Sequence, residues 1–174
     1  ECAAAIDITG SVAFSTVGAT DSTTGTIPAS CDDGAGTSMQ RDIWYRIFAQ
    51  CTGTATVSTC GASFDTRVAV YQGFTCPTAS SVPVGCDDNT TGCAGNGSQV
   101  TWQANAGSVY YIRVGSPIAA SGTGQLVYSC VEVPLCPADL DGDGVVGGGD
   151  LGVLLGAWGT ASADLDDDGL VDGS

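Results

Sequence analysis

Up to about residue 133 the chain carries no helical repeat of apolar residues. Short runs rich in Val, Ile, Thr and Tyr are broken every few residues by Gly, Ser, Asn and Asp. Branched and aromatic side chains suit a pleated, half-buried surface, and the interrupting residues suit turns. The expected strands are 4–8, 12–15, 43–49, 55–59, 68–71, 99–103, 109–114 and 125–130. Within 43–48 both alternating faces are bulky. Ile43, Tyr45 and Ile47 lie on one, and Trp44, Arg46 and Phe48 on the other, which predicts a strand covered on both sides. Strands this short, with nothing helical between them, predict a mainly β fold: an antiparallel β-sandwich with jelly-roll-like order.

A second texture begins after Val133-Pro-Leu-Cys-Pro137, a stiff connection that separates a disulfide-rich sandwich over 1–133 from a tail over 134–174. Asp139, Asp141, Asp143 and Asp150 stand at positions 1, 3, 5 and 12 of a loop, with Gly144 at 6 and Val146 at 8. That spacing wraps oxygen ligands around calcium, with the Val145 carbonyl at position 7 as a further donor. Asp150 replaces the usual Glu; being shorter, it draws the following helix inward. A second copy offers Asp164, Asp166, Asp168, the Leu170 carbonyl and Asp172 through water. It reaches Ser174 one position before its twelfth ligand, so weaker binding is expected there. Between the loops Leu151, Leu154, Leu155 and Trp158 recur at helical spacing, which predicts one helix over 149–158. The tail thus reads as a small EF-hand-like loop–helix–loop appendage. Asp150 also falls where the helix dipole favours an acid.

Charge and residue inventory exclude several functions. Nineteen acids face four cations, all arginine (Arg41, Arg46, Arg67 and Arg113), for a net charge of −15. No basic stripe exists, which excludes a nucleic-acid partner. Histidine and lysine are absent. Ser–His–Asp and Cys–His triads and a lysine base are therefore excluded, and a non-enzymatic role is expected. Nine cysteines without zinc-knuckle spacing predict disulfides and an oxidising compartment. Pairing does not follow from sequence. Cys86 and Cys93 are near enough along the chain to close a loop, Cys2 with Cys31 would tie the first strand to the segment after it, Cys130 and Cys136 bracket the junction, and the odd count leaves one thiol free or joined to another molecule. No run is long and apolar enough to span a bilayer, and Glu1 opens no signal peptide. The expectation is a mature product, extracellular or at the cell surface, whose leader is gone.

Two segments carry a family resemblance. Cys136-Pro-Ala-Asp-Leu-Asp-Gly-Asp-Gly-Val-Val146, followed by Leu151-Gly-Val-Leu-Leu-Gly-Ala-Trp-Gly159, resembles a truncated type I dockerin repeat pair of the kind found on secreted planctomycete proteins. Asp42-Ile-Trp-Tyr-Arg46, Val57-Ser-Thr-Cys-Gly61, Ser63-Phe-Asp-Thr-Arg-Val-Ala-Val-Tyr71, Cys86-Asp-Asp-Asn89 and Tyr110-Tyr-Ile-Arg-Val-Gly115 together are similar to bacterial pre-peptidase C-terminal-type β-sandwich domains. The resemblance implies a non-catalytic accessory module with a calcium-binding tail. Loop positions 10 and 11 hold Gly148 and Gly149, and Gly173 and Ser174 in the second copy. Dockerins that meet cohesins carry a Ser-Thr-like pair there, so attachment by another route is expected.

Other candidates are weaker. Asp65, Asp87 and Asp88 would either share a body calcium or cap turns, and turn chemistry explains them equally well. Asn89-Thr-Thr and Asn96-Gly-Ser fit the glycosylation acceptor pattern. Trp44, Trp102, Tyr110 and Tyr111 would form either a sugar-stacking face or, more in keeping with strand aromatics, core. The function expected from these features is a calcium-braced structural or adhesive protein acting by assembly or attachment, such as a fibre subunit. Its partner would be a second copy or another extracellular protein, with a glycan attached or bound. The alternative is a carbohydrate-binding accessory module of a secreted hydrolase, with the tail as anchor.

Overall fold

A computed structural model describes residues 1–32, 34, 36–132, 138–142 and 144–160. It divides into two units, Glu1–Glu132 and Val133–Ser174. The first is a β-sandwich of nine strands: β1 (Ile6–Asp7), β2 (Val12–Ser15), β3 (Gln40–Phe48), β4 (Gly53–Ser58), β5 (Arg67–Gln72), β6 (Gly85–Asp87), β7 (Gln99–Ala104), β8 (Val109–Ser116) and β9 (Thr123–Glu132). One sheet has the order β1-β3-β8-β5-β6 and the other β2-β9-β4-β7. With β1 set aside, the strands pair antiparallel in a nest: β2 with β9, β3 with β8, β4 with β7, β5 with β6. That nesting is the order of a jelly roll. β1 alone is parallel, beside β3.

Period-two alternation builds the core. Tyr45 and Ile47 of β3, Tyr110, Ile112 and Val114 of β8, and Val68 and Val70 of β5 face Phe14, Leu126, Ala55, Val57, Val100 and Trp102 of the other sheet. Ile47, Ile112, Leu126, Val68 and Val70 are wholly buried. Each contributes about 1.5–3 kcal/mol by leaving water. β8 is buried along its whole length because the outer face of its sheet is also covered. There Trp44, Ala69, Tyr71, Val109 and Tyr111 pack with Ile27, Cys31 and Met39 from the long segment before β3.

Two buried arginines hold that cover down. Arg113 donates to the carbonyls of Ser22, Gly25 and Met39 and pairs with Asp42 at 2.9 Å. Arg67 donates to the carbonyls of Gly36 and Ser38 and pairs with Asp88 at 2.6 Å. Where β3 shifts register between Gln40 and Ile43, Arg41 takes a φ of 51°. A side chain on Gly115 would press on Gln40 O at 2.8 Å, so this close approach requires glycine.

Four disulfides pin the unit: Cys2–Cys76, Cys31–Cys86, Cys51–Cys130 and Cys60–Cys93. None of the three expected pairings is used among the described residues; Cys136 lies outside them. Each bridge closes a long loop instead, between 33 and 79 residues. Such links stabilise by about 2–4 kcal/mol each, chiefly by restricting the unfolded chain. The four bridges fit an oxidising, extracellular setting. Among the described residues no helix is long and apolar enough to cross a membrane.

Candidate metal centre

The second unit holds helix α1 (Gly148–Gly156) and the loop before it. The helix begins one residue before the expected start and stops before Trp158, after Gly156. Among the described residues, Asp139, Asp141 and Asp150 are the cluster of three acids close enough to share an ion, with one oxygen from each within 4.8 Å of the others. Eleven positions separate the outer two, and the loop closes them by folding back on its own amides. Asp139 accepts from the amides of Gly142 and Gly144, both at 2.9 Å. Asp150, only 4% exposed, accepts from Leu140 at 2.7 Å, Asp141 at 3.2 Å and Gly147 at 2.6 Å. The Gly147 bond satisfies an amide at the helix start, the acid-side half of a capping box. The amides of Gly147 and Asp141 hold the Asp150 carboxyl below its ordinary range, against burial that would raise it.

A carboxylate pair of oxygens offers about four lone-pair sites, so these amide bonds leave room for a cation. The donors are all hard oxygens, which suits calcium rather than a thiolate- or imidazole-seeking metal. The cradle is also shaped for the acids. A Cβ built on Gly149 would overlap Asp141 Oδ2, so the glycine at loop position 11 makes space for that carboxylate. Gly142 and Gly144 take φ of 76° and 88°, the left-handed turn that aims their amides at Asp139. Val145 is exposed. Asp143 and the whole second loop, with Asp164, Asp166, Asp168, Leu170 and Asp172, lie outside the described residues.

The other candidates resolve differently. Asp88 is buried against Arg67, and Asp87 accepts from the Thr90 hydroxyl and the Gln99 amide. Both acids thus anchor the end of β6, and they form no three-acid cluster with Asp65. Trp44, Trp102, Tyr110 and Tyr111 are all buried, so none presents a ring to a sugar. Trp102 packs on Tyr110 at 5.3 Å, and Trp44 on Tyr71 at 5.7 Å. Asn89 and Asn96 are exposed, whereas the Ser98 hydroxyl of the second acceptor pattern is buried and donates to the Thr66 and Asp88 carbonyls. On α1 and the turn after it, Leu151, Leu155 and Trp158 are each more than half exposed, and Leu154 is half-buried. Sequence reasoning passed over the buried Arg67–Asp88 and Arg113–Asp42 pairs; an arginine in the middle of an apolar strand was the available signal.

No protein-family model matches the chain. No curated protein matches it.

Proposed function

We propose that this chain is a non-catalytic, extracellular, calcium-binding structural or adhesive protein that works by assembly or attachment. The observation that carries the reading is the convergence of Asp139, Asp141 and Asp150, held by loop amides at the foot of a helix. Calcium bound by these three acids, with Asp143 and the Val145 carbonyl, would fix α1 to its loop. It would also offset part of the −15 charge that keeps copies apart. The ordered helix and the turn after it then display Leu151, Leu155 and Trp158 as an apolar surface, and surfaces of that kind mark contacts with other molecules. The four disulfides support service outside the cell. The catalytic inventory is thin, with neither histidine nor lysine in the chain.

The test is light scattering and electron microscopy of the full chain in millimolar calcium and after chelation. Calcium-dependent assembly, lost in Asp139→Asn/Asp150→Asn, is the expected result. A chain that binds no calcium, or stays monodisperse and captures no extracellular partner, ends the reading. Retention on a polysaccharide without self-association would favour the accessory-module alternative.

A further inference from the structure

One edge of the sandwich is left open by the path of its first strands. β1 lies beside β3, and the chain then crosses through residues 8–11 to become β2 beside β9. The crossover leaves β2 paired only with residues 123–126 of β9. β9 runs on to Glu132, and over 127–132 it pairs, among the described residues, with β4 alone. Beneath the crossover lies a groove of about 510 Å³, lined by Thr9, Phe48, Gln50, Tyr128 and Glu132 among others. The loss of a neighbour is visible in burial. Leu126 is wholly buried, whereas Tyr128 and Cys130, next along the same inward face, are only partly covered. The Tyr128 hydroxyl is cut off from water without a hydrogen-bond partner.

The direction of the open backbone groups follows from register. The Thr16 amide bonds Gly122 O, so even-numbered residues of β9 face the β2 side. Tyr128, Cys130 and Glu132 therefore turn their N–H and C=O groups to the open edge. Proteins guard such edges with charge or proline. Residues 127–131 contain neither, and the one charge on the open stretch is Glu132 at its end, in a chain whose net charge is −15. Two copies can approach along this neutral stretch without the acid–acid repulsion that opposes contact at the tails.

We propose that this edge pairs with the same edge of a second copy, antiparallel about a two-fold axis through Cys130. The inference rests on the assembly reading and supplies one of its interfaces. Even must meet even for the hydrogen bonds to form. A register two residues one way runs into β2 at Leu126, and two residues the other way forfeits Tyr128. The remaining register sets Tyr128 opposite the second copy's Glu132 on the inward face. On the outer face it sets Ser129 opposite the second copy's Val131, which is 69% exposed in the single chain. A two-fold contact closes on itself, so this edge makes dimers, and a filament requires the tail as a second contact.

The test uses full chains carrying Ser129→Cys or Val131→Cys. These positions form a non-hydrogen-bonded pair across the axis, about 4.5 Å between Cα atoms, within disulfide reach. Mixed and oxidised in calcium, the two variants are expected to give a covalent heterodimer whose link joins 129 to 131, while neither gives it alone. Ser129→Lys/Val131→Lys is expected to weaken dimerisation at least tenfold in sedimentation, with an unchanged melting temperature. Assemblies that keep forming with both lysines and give no such link overturn the edge and leave the assembly reading standing. A chain monomeric at every concentration overturns the edge, whether the groove is empty or filled by its own tail, and overturns the assembly reading too if it also captures no extracellular partner.

Discussion

Replacing Gly149 by alanine sets two effects of opposite sign against each other. As a helix residue, alanine gains about 0.5–1 kcal/mol over glycine, so the metal-free helix becomes firmer. The new methyl, however, takes the space of Asp141 Oδ2 and drives that carboxylate out of the cluster. A divalent ion about 2.4 Å from an exposed carboxylate oxygen gains about 3.5 kcal/mol in a water-like dielectric. Repulsion between Asp141 and its two neighbours within 4.8 Å is present before and after the ion binds, so its relief stabilises the variant and cancels from the affinity. The loss of about 3.5 kcal/mol weakens calcium binding by roughly two to three orders of magnitude. Gly152→Ala is the matched control, since a Cβ there meets nothing within 4 Å. It brings the same helix gain with the site untouched. Stepwise calcium constants from competition with a chromophoric chelator, alongside helix content from circular dichroism, separate the two effects. Equal calcium affinity in the two variants would show that the Asp141 carboxylate is not a ligand.

Two further outcomes follow from the sandwich. Arg67→Met leaves Asp88 charged, buried and without its guanidinium, and should cost about 3–5 kcal/mol in reversible urea unfolding with disulfides intact. Arg67→Met/Asp88→Leu should recover part of that loss; a double variant no more stable than the single would show that the pair is not coupled. In the alkaline range, burial pushes the Tyr71 phenol up to about 12, with Arg113 pulling the other way. The folded state therefore keeps a proton that the unfolded chain releases near pH 10, so this stabilisation is whole below pH 10 and drains away between about 10 and 12. The loss approaches about 2–3 kcal/mol. Tyr71→Phe should flatten that slope in denaturant midpoints measured across the range; an unchanged slope would assign it to other groups.

Most strands could be read from the chain because their signal is local. Val12–Ser15 and the runs around Ile47, Val57, Val70, Trp102, Ile112 and Leu126 carry branched or aromatic residues at a period of two. β6 carried no such signal. Gly85-Cys-Asp87 becomes a strand because β5 offers Val68–Val70 as a template and Cys86 is tied to Cys31. The α1 stripe was legible, but its end at Gly156 reflects glycine's weak helix propensity outweighing apolar spacing. Asp88 looked like a ligand or a turn cap; its role became readable only when Arg67 arrived from another strand.

Spacing along the backbone is what the sequence by itself determined: where the chain extends, where it turns, and which carboxylates fall at ligand positions before a helix. Each is set within a dozen residues, where covalent geometry dictates which side chains share a face. Tertiary structure alone decided which cysteines join, which acids are spent on arginines, and which half of β9 has a neighbour on one side only among the described residues. Those outcomes depend on residues up to about eighty positions apart, and they are chosen by burial and sheet order, which act on every strand at once.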